Sequence, residues 1–285
     1  MEYGNKHIYT IFGLRLASEI ELPELPIDID DSTEPDAWIT FADLSEYVAD
    51  WNQDKQSWAD EEQVQIYVPN VAFYRVLHKH VQVMPFEGAD PGRYRLYILG
   101  VCCSVLLTRR GIVFMRAGGV VIDGRAYAIL DDNIAGKSTL REEFKQKGYK
   151  LLSDDIVGVS INEKTNQLTA YPSYPQQETL RYQMECFQQE PIILAGIFEC
   201  ASANIPRIGI NPLTPLQRVK LLRNYFYLNE IMRGMCIEQW LITFATKVAL
   251  AIPVYQSMRP VTNFQSSELV NQILRTARGA ERILL

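Results

Sequence analysis

Three histidines in 285 residues leave little scope for imidazole chemistry. His78 and His80 lie two apart, but no third metal ligand accompanies them. The five cysteines, at 102, 103, 186, 200 and 236, are odd in number and show no C-x-x-C spacing. Free thiols in a reducing cytosol are therefore expected, not a disulfide framework or a zinc site. No apolar run approaches the roughly 20 residues of a membrane span. The longest, "LYILGVCCSVLL" at 96–107, reads as a buried helix. The opening "MEYGNKHIYT" lacks a basic stretch followed by an apolar core, so no signal peptide is expected. There is no basic run, and a net charge of −6 argues against nucleic acid as a partner. Internal repeats and low-complexity tracts are also missing. What is there is ordinary: 47% hydrophobic and 22% charged residues, enough for one large domain or two modest ones.

Residues 1–95 are strand-rich. "HIYTIFGLRLAS" and "AWITFADL" carry β-branched and aromatic residues, and "QVQIYVPNVAFYRVLHKHVQVMPF" alternates around a "PN" turn. "PELPIDIDDSTEPDA" is acidic and broken by prolines, as a surface loop would be. The pattern changes after Gly111. "IVFMRAGGVVI" and "RAYAIL" read as strands joined by an Asp123-Gly124 hairpin turn. A loop over 131–136 comes next, then "KSTLREEFKQK" as a helix stopped by Gly148. "YKLLSDDIVGVSI" reads as one strand, and "VYQSMRPV" as another. Helical periodicity marks "LTPLQRVKLLRNYFYLNEI", "CIEQWLITFATKVALA" and "SSELVNQILRTAR". The expected class is mixed α/β, divided into 1–95 and 96–285.

The chemistry centres on "LDDNIAGKST" at 130–139. Gly136-Lys137-Ser138-Thr139 is how the phosphate-loop pattern G-x-x-x-x-G-K-[ST] ends, but Asp131 stands at its first glycine. Gly-Lys-Ser/Thr alone arises by chance in roughly one chain in seven of this length, so context must decide. The stretch lies between an apolar strand and a helix start, where N–H groups and the helix dipole converge on an anion. The next strand carries Asp154 and Asp155, oxygen donors suited to Mg²⁺ or to a proton-accepting role. Its entry by way of a hairpin differs from the parallel βαβ entry of ordinary phosphate loops.

Residues 111–158, "GIVFMRAGGVVIDGRAYAILDDNIAGKSTLREEFKQKGYKLLSDDIVGV", resemble the HPr serine kinase/phosphorylase-like proteins. "FGLRLASEIELPEL", "AYPSYP", "LAGIFE" and "VYQSMRPV" extend the likeness over most of the chain, and the first of these is similar to the subgroup encoded beside lasso-peptide genes. The resemblance implies a phosphoenolpyruvate-carboxykinase-like phosphate-loop fold and an ATP- and Mg²⁺-dependent kinase. Its acceptor would be a serine hydroxyl of a ribosomal precursor peptide or protein. Homo-oligomers occur in that family. Carried over, Asp132, Asn133, Ile134, Ala135, Gly136, Lys137, Ser138 and Thr139 form the ATP loop, with Lys137 on the phosphates. Asp154 and Asp155 supply the base and a metal contact, and Ser138 with Asp155 is the expected Mg²⁺ pair. The N-terminal sheet is expected to help recognise the peptide, by adding it as an edge strand.

The departures fall on the loop. Asp131 and Ile134 replace glycines, Asn133 a serine, and Arg116 a histidine; Gly118 stands where serine is common, and Gln176 and Gln177 where arginines are usual. A carboxylate ~4 Å from a phosphate oxygen would cost up to about 4 kcal/mol at an effective dielectric of ~20. That is roughly a thousandfold in affinity. Arg116 reads either as a solvated arginine or as a substitute phosphate contact. Two functions emerge: a serine kinase, or a catalytically impaired relative acting as a peptide-binding scaffold. Transfer to a small molecule is a third.

Overall fold

The computed structural model describes residues 7–12, 14–28, 33–52, 54–131, 134–172, 186–188, 190–261 and 266–281, with main chain alone at 131, 134–138 and 280–281. The fold is mixed α/β and falls into two compact units. One is Met1–Gly111 with Leu228–Gln239; the other is Ile112–Tyr227 with Trp240–Leu285. The division therefore lies at 111/112, where 95/96 was expected, and the first unit reclaims a segment late in the sequence.

The first unit holds a seven-stranded sheet, in order β1-β2-β3-β7-β6-β5-β4. The strands are β1 (His7–Ile11), β2 (Leu14–Ser18), β3 (Ala37–Phe41), β4 (Ser57–Ala59), β5 (Val64–Val68), β6 (Ala72–Val76) and β7 (His80–Pro85). The expected meander is β5–β6–β7, antiparallel throughout. Other parts of the chain approach both outer strands. Beyond β1, Thr10 N–H donates to Pro26 and Asp28 N–H to the Ile8 carbonyl. On β4, a Cβ added at Gly234 would lie 2.8 Å from both the Cβ and the carbonyl of Ala59, so the segment carrying Gly234 sits tight on that strand. The chain at 26–28 thus pairs with β1, and the segment at Gly234 approaches β4 at Ala59. Helix α1 (Ser45–Ala49) precedes β4.

The apolar run at 96–107 belongs to a longer helical stretch, α2 (Pro91–Tyr97), a π turn (Ile98–Cys102) and α3 (Cys103–Thr108). Asp90 caps it, its carboxylate accepting from Arg93 N–H at 2.8 Å, and Pro91 comes directly after. All six residues of α3 are buried. Gly111, at φ +86°, lets the chain leave it.

In the second unit, β8 (Val113–Arg116), β9 (Gly118–Ile122), β10 (Arg125–Asp131), β11 (Leu151–Ser153), β12 (Ile156–Ile161), β13 (Leu168–Tyr171), β14 (Ile192–Ala203), β15 (Gly209–Pro212) and β16 (Val254–Pro260) form one sheet. Its centre is parallel, β10 beside β14 beside β16; the flanks are antiparallel. β9 and β10 are the expected hairpin. Asp123 and Gly124 both have positive φ, 48° and 80°, as the tight primed turn requires. Helices α4 (Ile134–Gln146), α5 (Pro215–Tyr225), α6 (Asn229–Gly234), α7 (Glu238–Ala251) and α8 (Ser266–Glu281) complete the chain, α6 lying in the first unit. Leu140 and Phe144 of α4 and Leu269, Ile273 and Ala277 of α8 pack with Tyr127, Ile129 and Phe198 of the sheet in one core.

Four expected elements differ. The single helix over 213–231 breaks after Tyr225, because buried Phe226 bridges to Met115 and Tyr227 N–H donates to the Phe114 carbonyl at 2.8 Å. The strands at 112–122 and 149–161 each break, into β8/β9 and β11/β12. Helix α4 begins at Ile134, three residues before the expected start at Lys137.

Candidate active site

The breaks in β8/β9 and β11/β12 coincide and make a corner. β8 pairs with β12 and β9 with β11, while Ala117 N–H donates to the Asp155 carbonyl at 2.9 Å between them. Ser153 fixes the turn. Its hydroxyl donates to the Ile156 carbonyl at 2.5 Å and accepts from Ile156 N–H at 3.2 Å. A serine hydroxyl that bonds its own backbone competes with the strand ladder, which is why the chain turns here. Gly119 lies opposite: a Cβ there would meet Leu152 Cβ at 2.8 Å, so only glycine lets β9 and β11 approach this closely.

The corner presents the expected Asp pair in two different states. Asp155 is exposed. Asp154 is mostly buried, with its Oδ1 2.8 Å from Arg141 Nη1 of α4. Its Oδ2 is buried and has no hydrogen-bond partner. Burial raises the Asp154 carboxyl above its ordinary range, while the Arg141 guanidinium pulls the other way and Asp155 adds to the rise. Arg116 stands exposed at the end of β8, opposite Ile156.

Arg141 is the residue that sequence reasoning missed. A lone arginine on a helix looks like a solvated side chain. Only the corner, which brings β11 beneath α4, gives it a partner. It lies one turn after Lys137 on the same helix, so the two positions share a face.

The loop itself differs from expectation. β10 runs through Asp131, in register with Cys200, and α4 starts at Ile134. The interval is thus 132–133, where the phosphate-loop pattern allots 131–136. Ile134, Ala135 and Gly136 lie in the first helical turn, so their N–H groups run along the helix axis instead of curling round an anion. Isoleucine accepts helical torsions readily and left-handed ones poorly, which accounts for the early start. Asp132 and Asn133 lie outside the described residues, as do Gln176 and Gln177. Lys137 and Ser138 are placed by main chain, in α4, and Thr139 is exposed on it.

His78 and His80 do not converge. His80 stacks on Trp38 at 5.8 Å, whereas His78 faces Arg109 at 3.1 Å and Glu62 at 3.7 Å. Among the described residues no three metal-ligating side chains gather. None of the described helices is long and apolar enough to cross a membrane.

No family model and no curated protein matches the chain. Among solved structures, the Hpr(Ser) kinase/phosphatase from Coxiella burnetii is similar over 59% of this chain and 98% of its own, at 14% identity and a TM-score of 0.36.

Proposed function

We propose that the chain is an ATP- and Mg²⁺-dependent kinase of the cytosol that phosphorylates a serine hydroxyl on a peptide, of the precursor type implied by the lasso-like sequence resemblance. The observation that carries this reading is the 2.8 Å contact between Arg141 and Asp154. It ties the helix that carries position 137 to the turn bearing both carboxylates, which supports a shared site.

The donor set fits the cofactor in part. Asp154 Oδ2, buried and without a partner, is the kind of oxygen a divalent cation takes, and Ser138 would be its companion ligand. Bound there, Mg²⁺ supplies charge neutralisation on the phosphates. Lys137 and the first-turn N–H groups of α4 hold the phosphate oxygens. Asp155, exposed at the turn, would accept the proton of the serine hydroxyl as that oxygen bonds the γ-phosphorus of ATP and the bond to the departing ADP breaks. Arg141 keeps Asp154 oriented. This moves the metal contact from Asp155, where the sequence put it, to Asp154, and gives Asp155 the base role that the sequence left open between the two.

One observation favours the second reading, a binding scaffold without catalysis. With β10 reaching Asp131 and α4 beginning at Ile134, two positions separate strand from helix where the phosphate-loop pattern allots six. Calorimetry with ATP and Mg²⁺ separates the two. Micromolar binding that disappears in Lys137→Ala, with transfer to a peptide serine lost in Asp155→Asn, supports the kinase. Absence of binding at millimolar ATP leaves the scaffold.

A further inference from the structure

A cavity of about 460 Å³ opens on the first unit, built only from residues 46–65. Its walls include Tyr47, Trp51 and Trp58; its charged lining is Glu46, Asp50 and Lys55. Pockets that hold compact ligands measure about 300–1,000 Å³, so this one exceeds what a lone ammonium ion needs.

Its chemistry selects a cation. Glu46 and Asp50 are exposed, and neither side chain has an ion pair or hydrogen bond among the described residues. Asp50 stands at the C-terminal end of α1, where the backbone carbonyls add to its negative potential. Lys55 offsets one of the two carboxylates, leaving the lining net negative. An anion or nucleotide is therefore disfavoured.

The aromatic wall is fixed before any ligand arrives. Trp51 Nε1 donates to the Lys55 carbonyl at 2.9 Å. The Trp51 ring sits edge-on to Phe73 at 5.2 Å and stacked on Tyr67 at 6.2 Å. Trp58, 40% exposed, is a large indole left facing solvent on β4. The same cluster already accepts a guanidinium elsewhere, since Arg75 lies 4.9 Å above the Tyr47 ring.

We infer that this cavity is a docking site for a basic peptide segment, an arginine or lysine side chain with an apolar neighbour. The cation sits between the carboxylates and the indole faces, and the neighbour fills the remaining volume. The site gives the peptide-directed reading a recognition element besides the sheet edges. Docking needs no nucleotide, so failure of ATP binding would leave it standing.

The test uses the full chain without nucleotide. Ac-Leu-Arg-Leu-NH₂ and Ac-Leu-Gln-Leu-NH₂ are titrated by calorimetry and tryptophan fluorescence. Saturable binding of the arginine peptide is expected, with the glutamine peptide about fivefold weaker or more. Trp58→Ala and the double variant Glu46→Gln/Asp50→Asn should each cost about fivefold or more, and added salt should weaken the wild type but not the double variant. These positions are exposed, and an unchanged melting temperature would show that the variants are folded. Equal affinity for the two peptides, no saturation at millimolar arginine peptide, or full affinity in both folded variants overturns the inference.

Discussion

Removing the Arg141 side chain should destabilise the second unit by about 2 kcal/mol at neutral pH. The Arg141 and Asp154 side chains are 30% and 15% exposed, so the pair lies between two regimes. Breaking a fully buried pair by deleting one partner costs about 3–5 kcal/mol, and an exposed pair is worth about 0–1. Asp154 Oδ2 already lacks a partner, so Arg141→Ala strands a whole carboxylate in a poorly solvated place. For a unit of this size about 2 kcal/mol corresponds to a fall of roughly 4–8 °C in melting temperature. The pH dependence carries a definite sign. Burial holds the Asp154 carboxyl above its ordinary 3.8, and without Arg141 it rises further. A carboxyl raised in the folded state contributes stability that is present below its unfolded value and lost as pH climbs through the folded one. The deficit of Arg141→Ala should therefore be largest at neutral pH and shrink as pH falls toward 4. Urea unfolding across that range measures it, together with a double-mutant cycle with Asp154→Asn. Coupling of about 1–2 kcal/mol is expected. A variant within about 0.5 kcal/mol of wild type at every pH, or additive effects, would refute the reasoning.

Three further expectations concern the same framework. Gly119→Ala should cost about 1–3 kcal/mol in chemical unfolding, because its Cβ meets buried Leu152 at 2.8 Å. Ser153→Ala removes both hydroxyl contacts to Ile156 and should cost about 1–3 kcal/mol; if the corner relaxes, amide exchange at 154–156 should quicken. Among the cysteines, burial pushes the Cys103 thiol up to about 12 and Cys102 well above its usual range, while Cys236 is exposed. A maleimide should label Cys236 first and reach 102 and 103 only on unfolding; rapid native labelling of the adjacent pair would contradict the buried helix.

Sequence patterns carried the local elements further than the site. Asp123-Gly124 announced its hairpin because only a primed turn wants two left-handed residues in a row. Gly148 announced a helix end for the same reason, at φ +80°. The corner was not legible. Three polar residues in a row mark the place in "LLSDDIVG", but nothing there says that Ser153 will bond Ile156 and split the strand. The start of α4 was missed because the family pattern suggested a loop where Ile134 prefers a helix. Phe226 reads as a helix residue by spacing and is taken by β8 instead. The Asp pair was found as residue types, but its asymmetry, one buried against Arg141 and one exposed, depends on a packing that no short motif encodes.

The return of Leu228–Gln239 to the first unit has a consequence for the order of events during synthesis. When Gly111 has left the ribosome, the sheet of that unit is complete in sequence but β4 still lacks the helix that bears Gly234. About 130 more residues must be made, roughly 6–25 s at about 5–20 residues per second. Through that interval the nascent chain carries a bare strand edge beside an open indole. A chaperone, or slow folding of the second unit, has that window in which to act.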